Sequence, residues 1–463
     1  MALVGVGGRR VHGTTNDPAR SPLHPASSAS SSSTTPLFRL FFLSNLNPNE
    51  ASRDSSIFSF AASIFPAVAM MSLRFPLLLL LLLLVLLANL FSGLAARATG
   101  ATTDRAALLS VHNRLDPFNS LSSWGGDDDY CHWKGVSCDG PGRVTVLDLS
   151  ELGLSGSLSP DIGNLTYLQF LNLSHNHLQG QLPAELGNLL YLESLRLGSN
   201  RLTGEIPVEM GALHKLVILS LHDNVLTGRI PPSLGNLSSL THLGLAGNRL
   251  TGTLPSSIAS LPALQHLSVT RNNLTGAIPT SIFHLSTLTH LYLGHNQFSG
   301  SFPSDMGDTL VHLQVLQANN NNFEGHLPAS LPHAGMLREI VLAHNRFSGL
   351  VPGDIGKLVD LRSLSVRDNS LEAKTKEDWE FFASLANCKH LHTLDPSHNK
   401  LEGELPIPIT DLSPQLAFIG LGGNNITNEP TSADLASLLP TLQVDKTVAT
   451  AVCPDCRDGT IDD

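Results

Sequence analysis

One asparagine returns at a fixed interval through most of this chain. It stands at Asn176, Asn200, Asn224, Asn248, Asn272 and Asn296, each 24 residues after the last. It then stands at Asn321, Asn345, Asn369, Asn399 and Asn424. The flanking letters return with it: LQFLNLSHNHLQGQLP (168–183), LESLRLGSNRLTGEIP (192–207) and LVILSLHDNVLTGRIP (216–231) align residue for residue. An earlier turn, VTVLDLSELGLSG, carries Leu152 where Asn is expected, which makes twelve turns. With 463 residues, length alone would suggest one to three compact domains. The repeat overrides that estimate. No single turn can bury its own leucines, so the turns must stack and share one core.

Each letter of the repeat has a physical role. The LxL stretch is a short strand with its two leucines pointing inward and the residues between and beside them pointing out. Strands of successive turns then lie parallel. The Asn amide both donates and accepts, so it can satisfy buried backbone groups on its own and the next turn. Leaving such groups unpaired costs about 1–3 kcal/mol each. Glycines at Gly180, Gly204, Gly228 and Gly252 allow a tight bend, and prolines at Pro183, Pro207, Pro231, Pro255 and Pro279 fix the return path. LxxLxLxxNxL at a period of 20–29 is the leucine-rich repeat pattern. The expected fold is therefore an α/β right-handed solenoid of about twelve turns. It should have a parallel concave strand sheet and an irregular or 3-10 convex side. The aromatic share is only 5% against 42% apolar residues, so leucine supplies the core. A net charge of −11 with scattered Lys and Arg excludes a nucleic-acid surface.

The ends differ from the middle. Residues 1–69 include the low-complexity patch Ala26–Pro36 and read as a disordered extension or a mis-assigned start. Residues 70–98 read as a signal peptide: Arg74 is the positive flank, Phe75–Ala88 is unbroken apolar sequence, and Ala96-Arg97-Ala98 is a small-x-small cleavage site. The apolar run is shorter than the roughly 18 residues that favour an anchor. The expected mature chain begins near Thr99 and is secreted or displayed at the cell surface. Residues 99–142 form a cap: 104–115 has helical apolar spacing, and CHWKGVSC places Cys131 and Cys138 to close a small disulfide loop. The repeats occupy 143–428, and 429–463 is a divergent tail expected to be disordered. Its Cys453 and Cys456 have CxxC spacing but no second pair to complete a zinc site. The rhythm stalls once, at 372–390. Thr375 and Asp378 signal a helix start, with Trp379, Phe382 and Ala386 on one face and Cys388 as a buried small hydrophobe.

The outward strand positions can be read directly. One column runs Phe170, Ser194, Ile218, His242, His266, His290, Val315, Glu339. The next runs Asn172, Arg196, Ser220, Gly244, Ser268, Tyr292, Gln317, Val341. The concave face is the default binding surface of a solenoid. The expected ligand-facing set is Phe170, Arg196, His222, His242, His266, His290, Tyr292, Gln317 and Glu339. Three stacked histidines are expected to charge gradually as pH falls through about 6, and so to grip an acidic peptide. Stacked parallel rings do not converge on one metal ion. Sequons at Asn164, Asn172, Asn236, Asn273 and Asn425 are glycan acceptors, with Asn172 the odd one because it lies on the strand face. No nucleophile–base pair, cofactor motif or metal set emerges, so the chain is not expected to be an enzyme.

Three motifs carry a family resemblance. LTGxIPxxLGNL resembles the plant form of the repeat. Cys131, Trp133, Gly135, Val136 and Cys138 resemble the CxWxGVxC cap. KEDWEFFASLANC resembles an interruption found in the plant receptor-kinase subfamily that senses bacterial peptides and confers blight resistance in cereals. The likeness covers roughly residues 102–427. It implies a receptor ectodomain that binds a peptide or protein ligand and recruits a co-receptor repeat kinase, in defence or development signalling. Family receptors continue with a closing cap, a membrane helix and a kinase, and none is read in this sequence. The resemblance therefore implies a truncated ectodomain, with membrane attachment only through that missing segment or an uncleaved signal. Two alternatives remain open: a secreted inhibitor of pathogen cell-wall hydrolases, distinguished by a pull-down against polygalacturonase, and a non-functional truncated product.

Overall fold

The computed structural model describes residues 80–87, 103–116, 121–126 and 129–427, and the backbone of 443–445. The chain divides into two units, Met1–Leu83 and Leu84–Asp463. An exposed helix spans 80–87, within the expected signal segment. The rest of 70–98, the extension 1–69, and Cys453 and Cys456 lie outside the described residues. Among the described residues no helix is long and apolar enough to cross a membrane.

In the second unit a 14-stranded sheet forms the spine. Its first strand, Val136–Cys138, runs antiparallel to Val144–Asp148. From Val144–Asp148 onward every pairing is parallel, one strand per turn, through Phe170–Asn172 and on to Phe418–Gly420. Leu171, Leu195, Leu219, Leu243, Leu267 and Leu291 pair in one register and are fully buried. That column is the shared interior which the repeat demands. Gln443–Asp445 pairs in parallel with Phe418–Gly420, so part of the tail expected to be disordered adds a further strand.

The opposite side is only partly irregular. Short 3-10 turns, such as Ala184–Asn188 and Val208–Ala212, start at the prolines Pro183 and Pro207, as the return-path reading anticipates. A second parallel ladder of eight strands, and another of three, runs between the Asn and the Pro. This ladder was not expected from the sequence. It forms because Leu202, Leu226 and Phe298 point inward from LTG-type segments, while their extended neighbours bond the next turn.

The repeated asparagines lock the turns together. Asn248 Nδ2 donates to Leu221 O at 2.9 Å, Leu245 O at 3.2 Å and Ala246 O at 3.1 Å. Its Oδ1 accepts from Leu226 N–H at 3.0 Å. The cross-turn partners belong to the preceding turn, not the next one as the letter pattern suggests. The residue before each Asn adopts left-handed backbone, with φ of 54° at His175, 50° at Asp223 and 54° at Arg271. That turn ends every strand and lets the Asn face inward.

Within the stall at 372–390 lies a short helix, which buries Trp379 and Phe382 of the expected face but not Ala386. Asp378 Oδ2 accepts from the N–H groups of Lys374 and Thr375, at 2.8 and 2.9 Å. One turn of chain follows, then the α-helix Glu380–Ser384 and the 3-10 turn Leu385–Asn387. Trp379, Phe381, Phe382 and Leu385 are buried, whereas Ala386 is only half-buried. The 3-10 turn after Ser384 rotates Ala386 away from the aromatic face. Trp379 Nε1–H donates to Glu402 O at 2.8 Å, which ties the insertion to the following turn. Cys388 is enclosed, its Sγ donates to Leu358 O at 3.2 Å, and burial pushes its thiol up to about 11. It behaves as a packing residue rather than a reactive thiol.

The cap closes the first turn. A helix over 103–115 buries Ala107, Leu108, Val111 and Leu115 against the leucine column. Cys131 and Cys138 are disulfide-bonded, with Cα atoms 5.6 Å apart. Trp124 stacks on Trp133 at 5.3 Å. Gly135 has φ +78°, and a Cβ there would lie 2.1 Å from Asp148 O, so the cap motif needs glycine at this position.

Candidate functional site

The outward face of the 14-stranded sheet presents side chains in columns because every strand is in parallel register. His242 pairs with His266 and His266 with His290. Their rings stack, with centroids 4.3 and 4.0 Å apart. Tyr292, two residues along the strand, lies 5.9 Å from His290. Arg196 stands on the same face two turns earlier, and Glu339 two turns later. Phe170, Arg196, the three histidines, Tyr292 and Glu339 are half-buried, so each shows one surface outward.

Two of the residues expected to face a ligand do not. His222 is 4% exposed: a Cβ at Gly198 would lie 2.4 Å from its Nε2, so the ring fills the space that Gly198 leaves on the preceding turn. Its Nδ1 lies 3.2 Å from Asp223 Oδ2, and that bond holds the Asp223 carboxyl below its ordinary value. Gln317 is also buried, and its Nε2 donates to Glu339 Oε1 at 2.5 Å. It orients Glu339 instead of meeting solvent. Among the sequons, Asn164, Asn236, Asn273 and Asn425 are exposed. Asn172 is buried, and its Oδ1 accepts from Ser174 N–H and Oγ–H at 3.0 and 2.7 Å, so a glycan there would disrupt the sheet face.

The ladder's electrostatics depart from the expectation of charging near pH 6. Burial is the leading cause that lowers His242, His266 and His290, and it takes His266 down to about 4. Neighbouring imidazoles add to this for His266 and His290, and Arg196 and Arg338 for His242 and His290 respectively. His266 is therefore neutral in mildly acidic fluid, and His242 and His290 are displaced in the same direction. Burial also pushes the Tyr292 hydroxyl up to about 12, which keeps it protonated.

A stability consequence follows from the depressed His266 value. The unfolded chain takes up this proton near pH 6.5, and the folded chain does so only near 4. The folded state therefore loses stability as pH falls from about 6.5 to about 4, and keeps it above 6.5. In thermal melts at pH 7 and 4.5, His266→Asn should narrow the gap between the two midpoints. An unchanged gap would contradict burial of a neutral ring.

Two features escaped sequence reading. Thr241 and Thr289, the residues before His242 and His290, bond the imidazoles at 2.7 and 2.9 Å. The repeated dipeptide in THLGL and THLYL was the available signal. At the edge where each turn enters its strand, Arg143, Tyr167, Tyr191 and Lys215 form one stack. The cations lie 4.3 and 4.2 Å from the ring centroids, and the rings lie 5.5 Å apart. The 24-residue spacing of the two tyrosines was its signal.

Comparison with known proteins matches this geometry. Models described as leucine rich repeat N-terminal domain (101–139), leucine-rich repeat region (142–248) and leucine rich repeat (238–298 and 336–358) fit the chain. The ectodomain of the Arabidopsis thaliana membrane receptor kinase GASSHO1/SCHENGEN3, solved with CASPARIAN STRIP INTEGRITY FACTOR 2, is similar at TM-score 0.61 and 32% identity. That match covers 74% of this chain and 46% of that one. The plant peptide hormone receptor RGFR1, solved with RGF2, is similar at TM-score 0.53 and 29% identity over 64% of this chain and 57% of that one. A plant ice-binding protein is similar at TM-score 0.54 and 31% identity over 59% of this chain and 89% of that one. The chain belongs to the leucine-rich repeat proteins. Its relatives are plant leucine-rich repeat receptor-like kinases and receptor-like proteins. Its matches span only 6–10% of the length of the first five curated relatives.

Proposed function

We propose that this chain is the non-catalytic recognition module of an extracellular plant receptor-like protein, and that it binds a peptide or microbial ligand on the outward face of the 14-stranded sheet. The observation that carries this reading is the half-buried strip running from Arg196 through the histidine stack to Tyr292 and Glu339. Half-buried Tyr and Arg are the residues that dominate recognition energies, because they offer large contact area at modest entropic cost. The solved complexes of a plant peptide hormone receptor and of a plant membrane receptor kinase support a peptide or protein as the partner. The signal-type segment supports an extracellular place, and four exposed sequons support a glycosylated surface.

The reading is tested with the full chain and a phage library displaying random twelve-residue peptides. The wild-type chain should enrich a family of sequences. The double variant Arg196→Ala/Tyr292→Ala should bind those peptides at least about tenfold more weakly, as loss of one or two recognition hot spots implies. Peptides that bind both forms equally would move the site elsewhere.

A further inference from the structure

The two outer histidines of the ladder, His242 and His290, each share a side-chain hydrogen bond with the preceding threonine. Thr241 Oγ1–H donates to Val217 O at 3.1 Å, and Thr289 Oγ1–H donates to Gln265 O at 3.0 Å. A hydroxyl has one proton to give. The arrangement that satisfies both contacts of each hydroxyl has the threonine oxygen accepting from its histidine, which puts the imidazole proton on Nδ1 of His242 and His290. A neutral ring protonated on Nδ1 carries a bare lone pair on Nε2. The Nε2 atoms of His242, His266 and His290 are absent from the enclosed, unpartnered polar atoms, which include the Nε2 of buried His222. They are thus presented outward on the half-buried face. Stacking at 4.0–4.3 Å makes simultaneous charging of neighbouring rings unfavourable.

We infer that this strip recognises an uncharged peptide segment rich in hydroxyl and carboxamide side chains, whose donors bond the outward imidazole Nε2 atoms. The inference rests on the reading of this face as a peptide-binding surface and narrows it. Three arguments set the class. The bare Nε2 acceptors of His242 and His290 repel a carboxylate, which has no proton to offer. Arg196 and Arg338 contribute positive potential at the two ends of the ladder, which disfavours Lys and Arg there, so the discrimination against acidic side chains falls to the imidazole lone pairs. The ring spacing of 4.0–4.3 Å is shorter than the roughly 6.6–6.8 Å between same-side N–H groups of an extended chain. The matching donors are therefore side chains, which adjust their reach, rather than the peptide backbone. The charged groups that act on the ladder are Arg196, Arg338 and the histidines themselves, and Glu339 acts on neighbouring Tyr292.

Two measurements test this. Long-range ¹⁵N–¹H spectra of the histidine-labelled chain should show His242 and His290 as Nδ1-protonated tautomers at pH 7.5, with their titration displaced below the ordinary imidazole range. Titration near 6.5, or an Nε2–H tautomer, overturns the inference whatever the chain binds. The second uses the random twelve-residue phage library. Peptides selected by the wild-type chain should be enriched in Ser, Thr, Asn and Gln and depleted in Asp, Glu, Lys and Arg. Replacing all three rings with phenylalanine (H242F/H266F/H290F) keeps the stack and removes the acceptors. It should weaken those peptides about tenfold or more, and the single variant H290F should do so in part if the triple variant folds poorly. Selection of acidic peptides, or affinity indifferent to both variants, sinks the donor-reading proposal and leaves the peptide-face reading intact. No enrichment by the wild-type chain sinks both.

Discussion

Replacing Asn248 with alanine is expected to destabilise the chain by about 2.5–7.5 kcal/mol, although its hydrogen bonds run to backbone groups. Four hydrogen bonds go with it. Their losses are unequal. Leu226 N–H has Asn248 Oδ1 as its acceptor, so it is left buried without a partner, at about 1–3 kcal/mol. The carbonyls fare better because the ladder interlocks. Leu221 O also accepts from Asn224, and Leu245 O also accepts from Asn272. Each leucine carbonyl thus serves the Asn of its own turn and that of the following turn. Losing one donor weakens the carbonyl without orphaning it, at about 0.5–1.5 kcal/mol per bond. Asn248→Asp should be at least as costly, because it turns an oxygen toward three carbonyls. The control is Asn236→Ala, an exposed asparagine in the preceding turn, expected within about 0.5 kcal/mol of wild type. Urea denaturation measures the totals, and amide exchange at Leu226 measures the local opening. Equal effects of the two alanine variants would remove the ladder from the account of stability.

The same ladder explains how much was legible in the letters. A 24-residue period fixes the strand register, because parallel strands one turn apart must align equivalent positions. Both outward columns were therefore readable down to the residue. Exposure within a column was not, because it depends on neighbour size across turns. His222 sinks because Gly198 leaves room for its ring, and Gln317 sinks because Glu339 accepts its amide. The histidines' low proton affinity also comes from packing between turns, which no single repeat displays. The second strand ladder went unread because its segments are two to five residues long, too short for a period-2 pattern to stand out. Thr375 and Asp378 mark a hydrogen-bonded turn just ahead of the helix Glu380–Ser384, and of the expected face Trp379 and Phe382 are buried while Ala386 turns off it where the α-helix tightens to 3-10 after Ser384.

Asp104→Ala should cost about 3–5 kcal/mol, and the reason lies in how the solenoid begins. The first leucine column needs a cover, and the helix over 103–115 supplies it. Asp104 pins that helix to the first repeat strand. Its carboxylate is fully buried and takes two bonds from Arg143, Nε to Oδ2 and Nη2 to Oδ1, both at 2.8 Å. Val144 N–H, itself fully buried, donates to Oδ2 at 3.0 Å. Removing the carboxylate leaves a guanidinium with 14% exposure and a buried amide without their partner. Arg143→Ala leaves the opposite charge buried and should be no milder. The double variant Asp104→Leu/Arg143→Met removes both charges together. It should be less destabilised than either single variant, because apolar groups of similar volume often replace a buried pair at little net cost. It keeps one penalty, the amide of Val144. It also loses the stack of Arg143 on Tyr167 at 4.3 Å. Urea midpoints rank the four proteins, and the near-ultraviolet signal of the Trp124–Trp133 stack reports whether the cap has lifted. If Asp104→Ala unfolds with the wild-type midpoint, the ion pair contributes nothing and the cap is held by its apolar face, its backbone bonds to the first repeat and the Cys131–Cys138 bond.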